Sequence, residues 1–165
     1  MKGQFYAQHG ARYLILITSL IVSVDFIHDP LVQDGTKVIS GGADKAGRMY
    51  DVSTGQTTQI AEHADTIRCI KFLDQSQQIV ATGSWDKTVK YWDMRQPQPI
   101  STVQLPERCY SMDVTFPLMV VATAERHVQV YDLNNPTVPF KVKRNTIIYN
   151  YDWYDAPVLS NLTNM

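Results

Sequence analysis

Apolar and polar side chains largely alternate along Ile67-Arg-Cys-Ile-Lys-Phe72, the two-residue period of a half-buried strand. Asp74-Gln-Ser-Gln-Gln78 is a polar turn, and Ile79-Val-Ala-Thr-Gly83 is a continuous short run, the pattern of a strand covered on both faces. Ser84-Trp-Asp-Lys-Thr88 is polar enough for a loop, and Val89-Lys-Tyr-Trp-Asp93 returns to strand character. Pro97 blocks extension after Met94. Pro99-Ile-Ser-Thr-Val-Gln104 then predicts a fourth, outer strand, with proline at its first position, where a missing N–H is tolerated.

This four-strand unit has a copy on each side. Upstream, Ser40-Gly-Gly-Ala-Asp44 leads to Tyr50-Asp51, and downstream Ala122-Thr123-Ala-Glu125-Arg126 leads to Tyr131-Asp132. The aromatic-Asp pair recurs after 42 residues, from Asp51 to Asp93, and after 39, from Asp93 to Asp132. A period of about 40 to 45 residues ending in Trp-Asp marks the four-stranded blade of a WD40 β-propeller. The upstream copy predicts strands at Lys37–Ser40, Arg48–Asp51 and Thr57–Ile60, with Asp34-Gly35 turning the chain from an inner strand at Ile21–Phe26. The downstream copy predicts Arg108–Val114, Met119–Ala124, His127–Asp132 and Pro139–Lys143. The fold class is therefore all-β, about three four-stranded blades that do not close: 21–62 (degenerate), 63–104 (best preserved) and 105–144 (degenerate). Residues 1–20 and 145–165 stay unassigned, although Thr146–Trp153 could be a stray strand.

Composition agrees with a globular chain: 165 residues, 44% hydrophobic and 19% charged. Fifteen basic residues face sixteen acidic ones, so direct RNA contact has no support from net charge. Cys69 and Cys109 are far apart in sequence, fit neither a disulfide framework nor a metal site, and read as small buried hydrophobes. No metal or cofactor is expected. Tyr13 to Val24 is the long apolar run, twelve residues, short of the about 20 that a spanning helix needs. Lys2 and Arg12 resemble the charged start of a secretion signal, but no small-x-small cleavage site follows. The expectation is no membrane association, and the Asn161-Leu-Thr163 sequon then carries no meaning.

In the middle repeat, His63, Thr82, Asp86 and Trp92 stand at the spacing of a hydrogen-bonded tetrad. A buried indole N–H needs an acceptor, a threonine hydroxyl both gives and takes, and an imidazole bridges hydroxyl to carboxylate. His63 and Asp86 also resemble two-thirds of a hydrolase triad, but no Ser or Cys nucleophile has a matching context. In the first copy Ser40, Asp44 and Tyr50 match Thr82, Asp86 and Trp92, and in the third Thr123 and Tyr131 match, with Glu125 near the Asp position. Neither copy has a histidine equivalent to His63. The loops gathered on one face carry Trp85 and Lys87 of the middle repeat with Glu107, Arg108, Tyr110, Glu125 and Arg126 of the next, and these are the candidate partner-binding residues.

Gly83-Ser-Trp-Asp-Lys-Thr88, Val103-Gln-Leu-Pro-Glu-Arg-Cys-Tyr110, Val120-Val-Ala-Thr-Ala-Glu-Arg126, Gln59-Ile-Ala-Glu-His63 and Asp34-Gly-Thr-Lys37 together resemble the nuclear-pore mRNA-export factors of the Rae/Gle type. The resemblance covers about residues 21 to 143. It implies a seven-bladed propeller in the nucleus, at the nuclear envelope and pore, with a cytoplasmic pool. It implies a non-enzymatic scaffold with no small-molecule substrate, whose protein partner is an FG nucleoporin segment laid across the loop face. The related mitotic-checkpoint WD40 adaptors are the alternative, and a hydrolase using His63 and Asp86 is the alternative of another class. Three repeats are fewer than seven, so the expectation is a truncated form.

Overall fold

The computed structural model of the chain describes residues 36–74 and 79–144. The strand expected at Ile21–Phe26, the Asp34-Gly35 turn, residues 75–78 of the polar turn and the stray strand at Thr146–Trp153 lie outside them. Eleven strands follow one another: β1 (Lys37–Gly41), β2 (Ala46–Asp51), β3 (Thr57–Glu62), β4 (Ile67–Asp74), β5 (Ile79–Ser84), β6 (Thr88–Asp93), β7 (Pro99–Gln104), β8 (Cys109–Thr115), β9 (Leu118–Thr123), β10 (His127–Asp132) and β11 (Pro139–Arg144). Each pairs antiparallel with its sequence neighbour, giving the sheets β1-β2-β3, β4-β5-β6-β7 and β8-β9-β10-β11. The chain is thus all-β, a propeller segment of three blade-like sheets, none of them closed into a ring among the described residues.

The Asp that marks each repeat has the same task in all three sheets. Asp51 Oδ1 accepts the N–H groups of Ser53 and Thr54 at 2.8 and 3.1 Å, Asp93 Oδ1 that of Arg95 at 3.0 Å, and Asp132 Oδ1 that of Asn134 at 2.9 Å. An Asx turn of this kind supplies acceptors to N–H groups that leave the ladder and starts the connection to the outer strand. The outer pairing in every sheet then carries a register shift, at Gly47/Arg48, Tyr91/Trp92 and Val130/Tyr131. Such irregularity strengthens twist, which a fan of sheets around an axis requires.

The sheets stack face to face through two apolar clusters. Ile39, Ile60, Ala61, Ile67, Ile70, Val80 and Trp92 join the first sheet to the second. Cys69, Ala81, Val89, Tyr91, Val103, Leu105, Cys109, Met112, Met119, Val121 and Tyr131 join the second to the third. Strand β5 contributes to both, and so its sequence is a continuous run: Val80, Ala81, Thr82, Gly83 and Ser84 are all buried. Gly41 and Gly83 sit 42 positions apart where an inner strand of the following sheet presses on them. A Cβ on either would lie 2.5 Å from the Cγ2 of Ile67 or the Sγ of Cys109, respectively, so the close approach of the sheets depends on their having none.

Candidate functional site

The connections from β1 to β2, from β5 to β6 and from β9 to β10 lie together with the loops that enter the next sheet. They turn on Lys45, Lys87 and Arg126, all with φ between 65° and 70°. This left-handed conformation is unfavourable for a side chain with a Cβ, so the preceding carboxylate has to stabilise the turn. Asp86 does so in full. Its Oδ1 accepts the N–H of Thr88 at 2.9 Å and the Thr88 hydroxyl at 2.6 Å, while Oδ2 accepts the Ala64 N–H at 3.1 Å.

The four tetrad residues are joined in one chain of hydrogen bonds. Trp92 Nε1 donates to Thr82 Oγ1 at 2.8 Å, Thr82 Oγ1 lies 2.6 Å from His63 Nε2, and His63 Nδ1 lies 2.8 Å from Asp86 Oδ2. The bonds fit a neutral imidazole that donates from Nδ1 to the carboxylate and accepts the threonine proton at Nε2. His63 bridges β3 and β4, Thr82 is on β5, Asp86 follows β5 and Trp92 is on β6, so the chain ties two loops to two strands. Thr88 and Ser84 complete it, and neither is counted in the tetrad from the sequence alone. Thr88 Oγ1 is 3.2 Å from His63 Nδ1, and Ser84 Oγ accepts the Asp86 N–H at 3.1 Å while donating to the Asp65 carbonyl at 3.0 Å. The signal that could have found them is the hydroxyl residue two positions to each side of Asp86, the spacing of local side-chain turns.

Geometrically Thr82, His63 and Asp86 repeat the order of a hydroxyl, imidazole and carboxylate in a catalytic triad. Thr82 is fully buried, however, and its oxygen already takes the Trp92 indole proton. A nucleophile needs an open approach for the carbonyl it attacks, and this hydroxyl has none. No group of three or more His, Cys, Asp and Glu side chains among the described residues could hold a metal ion.

Burial pulls His63 below its ordinary value of 6.5, against the opposing pull of Asp86. For Asp86 burial acts upward, but the Thr88 hydroxyl, the imidazole and the Ala64 N–H together hold it below its ordinary value. Both shifts have the same consequence for stability. Below pH 6.5 the unfolded chain takes up a proton that folded His63 resists, so this contribution is complete above 6.5 and is lost as the pH falls. Asp86 adds a further loss below its ordinary 3.8. The expected result is a thermal unfolding midpoint that drops between about pH 7.5 and 5.5, with a flatter dependence in His63→Gln, measured by circular dichroism. A profile as steep in the variant as in the parent would remove His63 from the explanation.

The flanking copies are built otherwise. In register, Thr82 faces Lys90, two residues before Trp92, and Ser40 faces Arg48, two before Tyr50. Thr123 faces His127, four before Tyr131, and Val121 holds the place of Thr82. The match of Thr123 to Thr82 is thereby corrected: the shorter hairpin carries Thr123 to the end of its strand, where its hydroxyl lies 3.2 Å from the Ala124 carbonyl. The buried Tyr131 hydroxyl donates instead to Gln129 Oε1 at 2.9 Å. Glu125 is exposed and, among the described residues, pairs with Arg144 at 3.8 Å, so it does not act as Asp86 does.

The candidate docking residues divide into a cluster and two outliers. The Arg108 guanidinium lies 5.9 Å from the Trp85 ring centre, and Tyr110 meets the same ring edge-on at 6.5 Å. Lys87 Nζ is 2.7 Å from Glu107 Oε1 beside them, a bond that lowers the carboxyl of Glu107 below its ordinary value. Trp85 is half-buried against the third sheet. Its indole N–H is out of solvent and has no acceptor among the described residues. Arg108 and Tyr110 are the exposed members, with Tyr110 at 40%. Glu125 and Arg126 are exposed in the next turn and are not part of the cluster.

The WD domain, G-beta repeat family matches residues 55–93, which hold the complete hydrogen-bond chain. The chain carries a WD40 repeat. It is similar to the Rae1/Gle2 mRNA-export factors. It is 54% identical over 112 residues to the Poly(A)+ RNA export protein of Schizosaccharomyces pombe, a match over 67% of this chain and 32% of that one. It is 44% identical over 128 residues to the mRNA export factor GLE2 of Chaetomium thermophilum, over 77% and 34%. To the Drosophila melanogaster protein Rae1 it is 38% identical over 119 residues, over 72% and 34%. The chain therefore spans about a third of the length of these relatives. Among solved structures, the computationally designed Ika8 protein superposes with a TM-score of 0.57 at 24% identity, over 67% of this chain and 34% of that one, a likeness of fold alone.

Proposed function

We propose that the chain is a non-enzymatic WD40 scaffold segment of an mRNA-export factor, and that its loop face takes a short extended segment of an FG nucleoporin at the nuclear pore. The observation that carries the reading is the cluster of Trp85, Arg108 and Tyr110. A half-buried indole backs an exposed guanidinium and an exposed phenol, with one N–H beside them that has no acceptor among the described residues. Aromatic and arginine side chains held rigidly over a packed base are the groups that dominate binding energy at protein interfaces. The hydrogen-bond chain of His63, Thr82, Asp86 and Trp92 holds the loop that bears Trp85, and is read as framework rather than contact surface. The similarity to proteins named as mRNA-export factors supports the nuclear setting.

Arg108→Ala and Tyr110→Ala each leave the apolar clusters untouched. Each is expected to weaken binding of an FG nucleoporin segment at least about tenfold, or about 1.4 kcal/mol, in calorimetric titration, with the unfolding midpoint unchanged. Unchanged affinity in both variants would contradict the assignment of the face. Capture of a mitotic-checkpoint partner in place of any FG nucleoporin would favour the checkpoint-adaptor reading.

A further inference from the structure

The two cysteines of the chain, 40 positions apart in sequence, meet in the fold. Cys69 lies on β4 and Cys109 on β8, the strands along which the second and third sheets converge, and both are buried in the same apolar cluster. Gly83 makes the meeting geometrically feasible. A Cβ there would lie 2.5 Å from Cys109 Sγ, 3.3 Å from Cys109 Cβ and 3.7 Å from Cys69 Cβ, so the thiol of Cys109 occupies the space that any other residue would fill. The two thiols are free of any disulfide, and the hydrogen-bond contact of Cys109 Sγ, at 3.9 Å, is to the Ser111 carbonyl.

We propose that Cys69 and Cys109 are an oxidisable dithiol, a site at which a two-electron oxidant joins the second and third sheets by a disulfide. The oxidant class is a small diazene or a small disulfide. With a diazene, one thiolate adds to an N=N nitrogen, and the second thiolate attacks the bound sulfur. The S–S bond forms and the N–S bond breaks. The two electrons leave with the hydrazine, and the two thiol protons end on its nitrogens. The neighbouring Cys69 thiol and burial push the Cys109 thiol well up, so the reaction is slow at neutral pH and speeds as the pH rises. Cys109 lies between Arg108 and Tyr110 in sequence, so the bridge would tether the floor of the exposed cluster. The chemistry stands whether or not that cluster docks a nucleoporin.

The test treats the folded protein with diamide at about pH 8.5, where the thiolate fraction is larger than at neutral pH, and blocks residual thiols with N-ethylmaleimide. Tryptic peptides are then read by mass spectrometry. Cleavage after Arg68 and Arg108 puts the two cysteines on separate peptides. The expected product is one Cys69–Cys109 linked peptide, lighter by the two thiol hydrogens, which disappears on reduction with dithiothreitol. It is absent from Cys69→Ala and Cys109→Ala. Three results would overturn the proposal: both thiols alkylated as if untreated, single adducts on each cysteine in place of the link, or a link formed only after unfolding in urea.

Discussion

Replacing Trp92 with alanine is expected to destabilise the protein by about 3–5 kcal/mol, the range for removing a large buried aromatic side chain. The ring packs with Ile39, Ile60, Ala61, Ile67, Ile70 and Val80 between the first and second sheets. It also stands edge-on to His63, with ring centres 6.2 Å apart, and carries Lys90 Nζ 5.7 Å from its own centre. Alanine opens a cavity between the two sheets, and it takes the donor from Thr82. Trp92→Phe separates the two effects. It keeps most of the packing and loses only the N–H, so about 1 kcal/mol is expected. Urea unfolding followed by circular dichroism measures both. A phenylalanine variant as damaged as the alanine one would assign the weight to the hydrogen bond rather than to packing.

Replacing His63 with alanine is expected to cost about 1–3 kcal/mol, because it leaves buried polar partners without their bridge. Thr82 Oγ1 loses Nε2 and Asp86 Oδ2 loses Nδ1. The carboxylate keeps the Ala64 and Thr88 donors, so the loop weakens without collapsing. The same variant separates scaffold from hydrolase. A framework histidine predicts lowered stability measured by urea unfolding. A catalytic one predicts loss of turnover on ester or peptide substrates with stability intact.

The middle repeat was legible in the sequence because its loops have the lengths that set four polar residues along one hydrogen-bond chain, and every member is of the type its neighbours require. The Trp-Asp marker was legible for a reason the structure supplies: each Asp closes a turn, so it recurs wherever a third strand ends. The third repeat was harder to read. Its hairpin is two residues shorter, and matching by loop wording selects Thr123, whereas pairing with β10 selects Val121. Position along a strand is set by register, and a change in loop length moves it without leaving any compositional trace. The same limit hid the approach of Cys69 to Cys109, since contacts between sheets depend on how blades stack. The half-burial of Trp85 depends likewise on the neighbouring sheet, which a single repeat does not contain.

The claim on which the account rests is that the loop face built by Trp85, Arg108 and Tyr110 is a docking surface, while His63, Thr82, Asp86 and Trp92 hold it in place from beneath. Hydrogen–deuterium exchange of the protein with and without an FG nucleoporin segment tests it directly. Added protection confined to peptides spanning Ser84–Thr88 and Glu107–Tyr110 is the result the account predicts. No protection there, or protection confined to the outer strands β7 and β11, would contradict it.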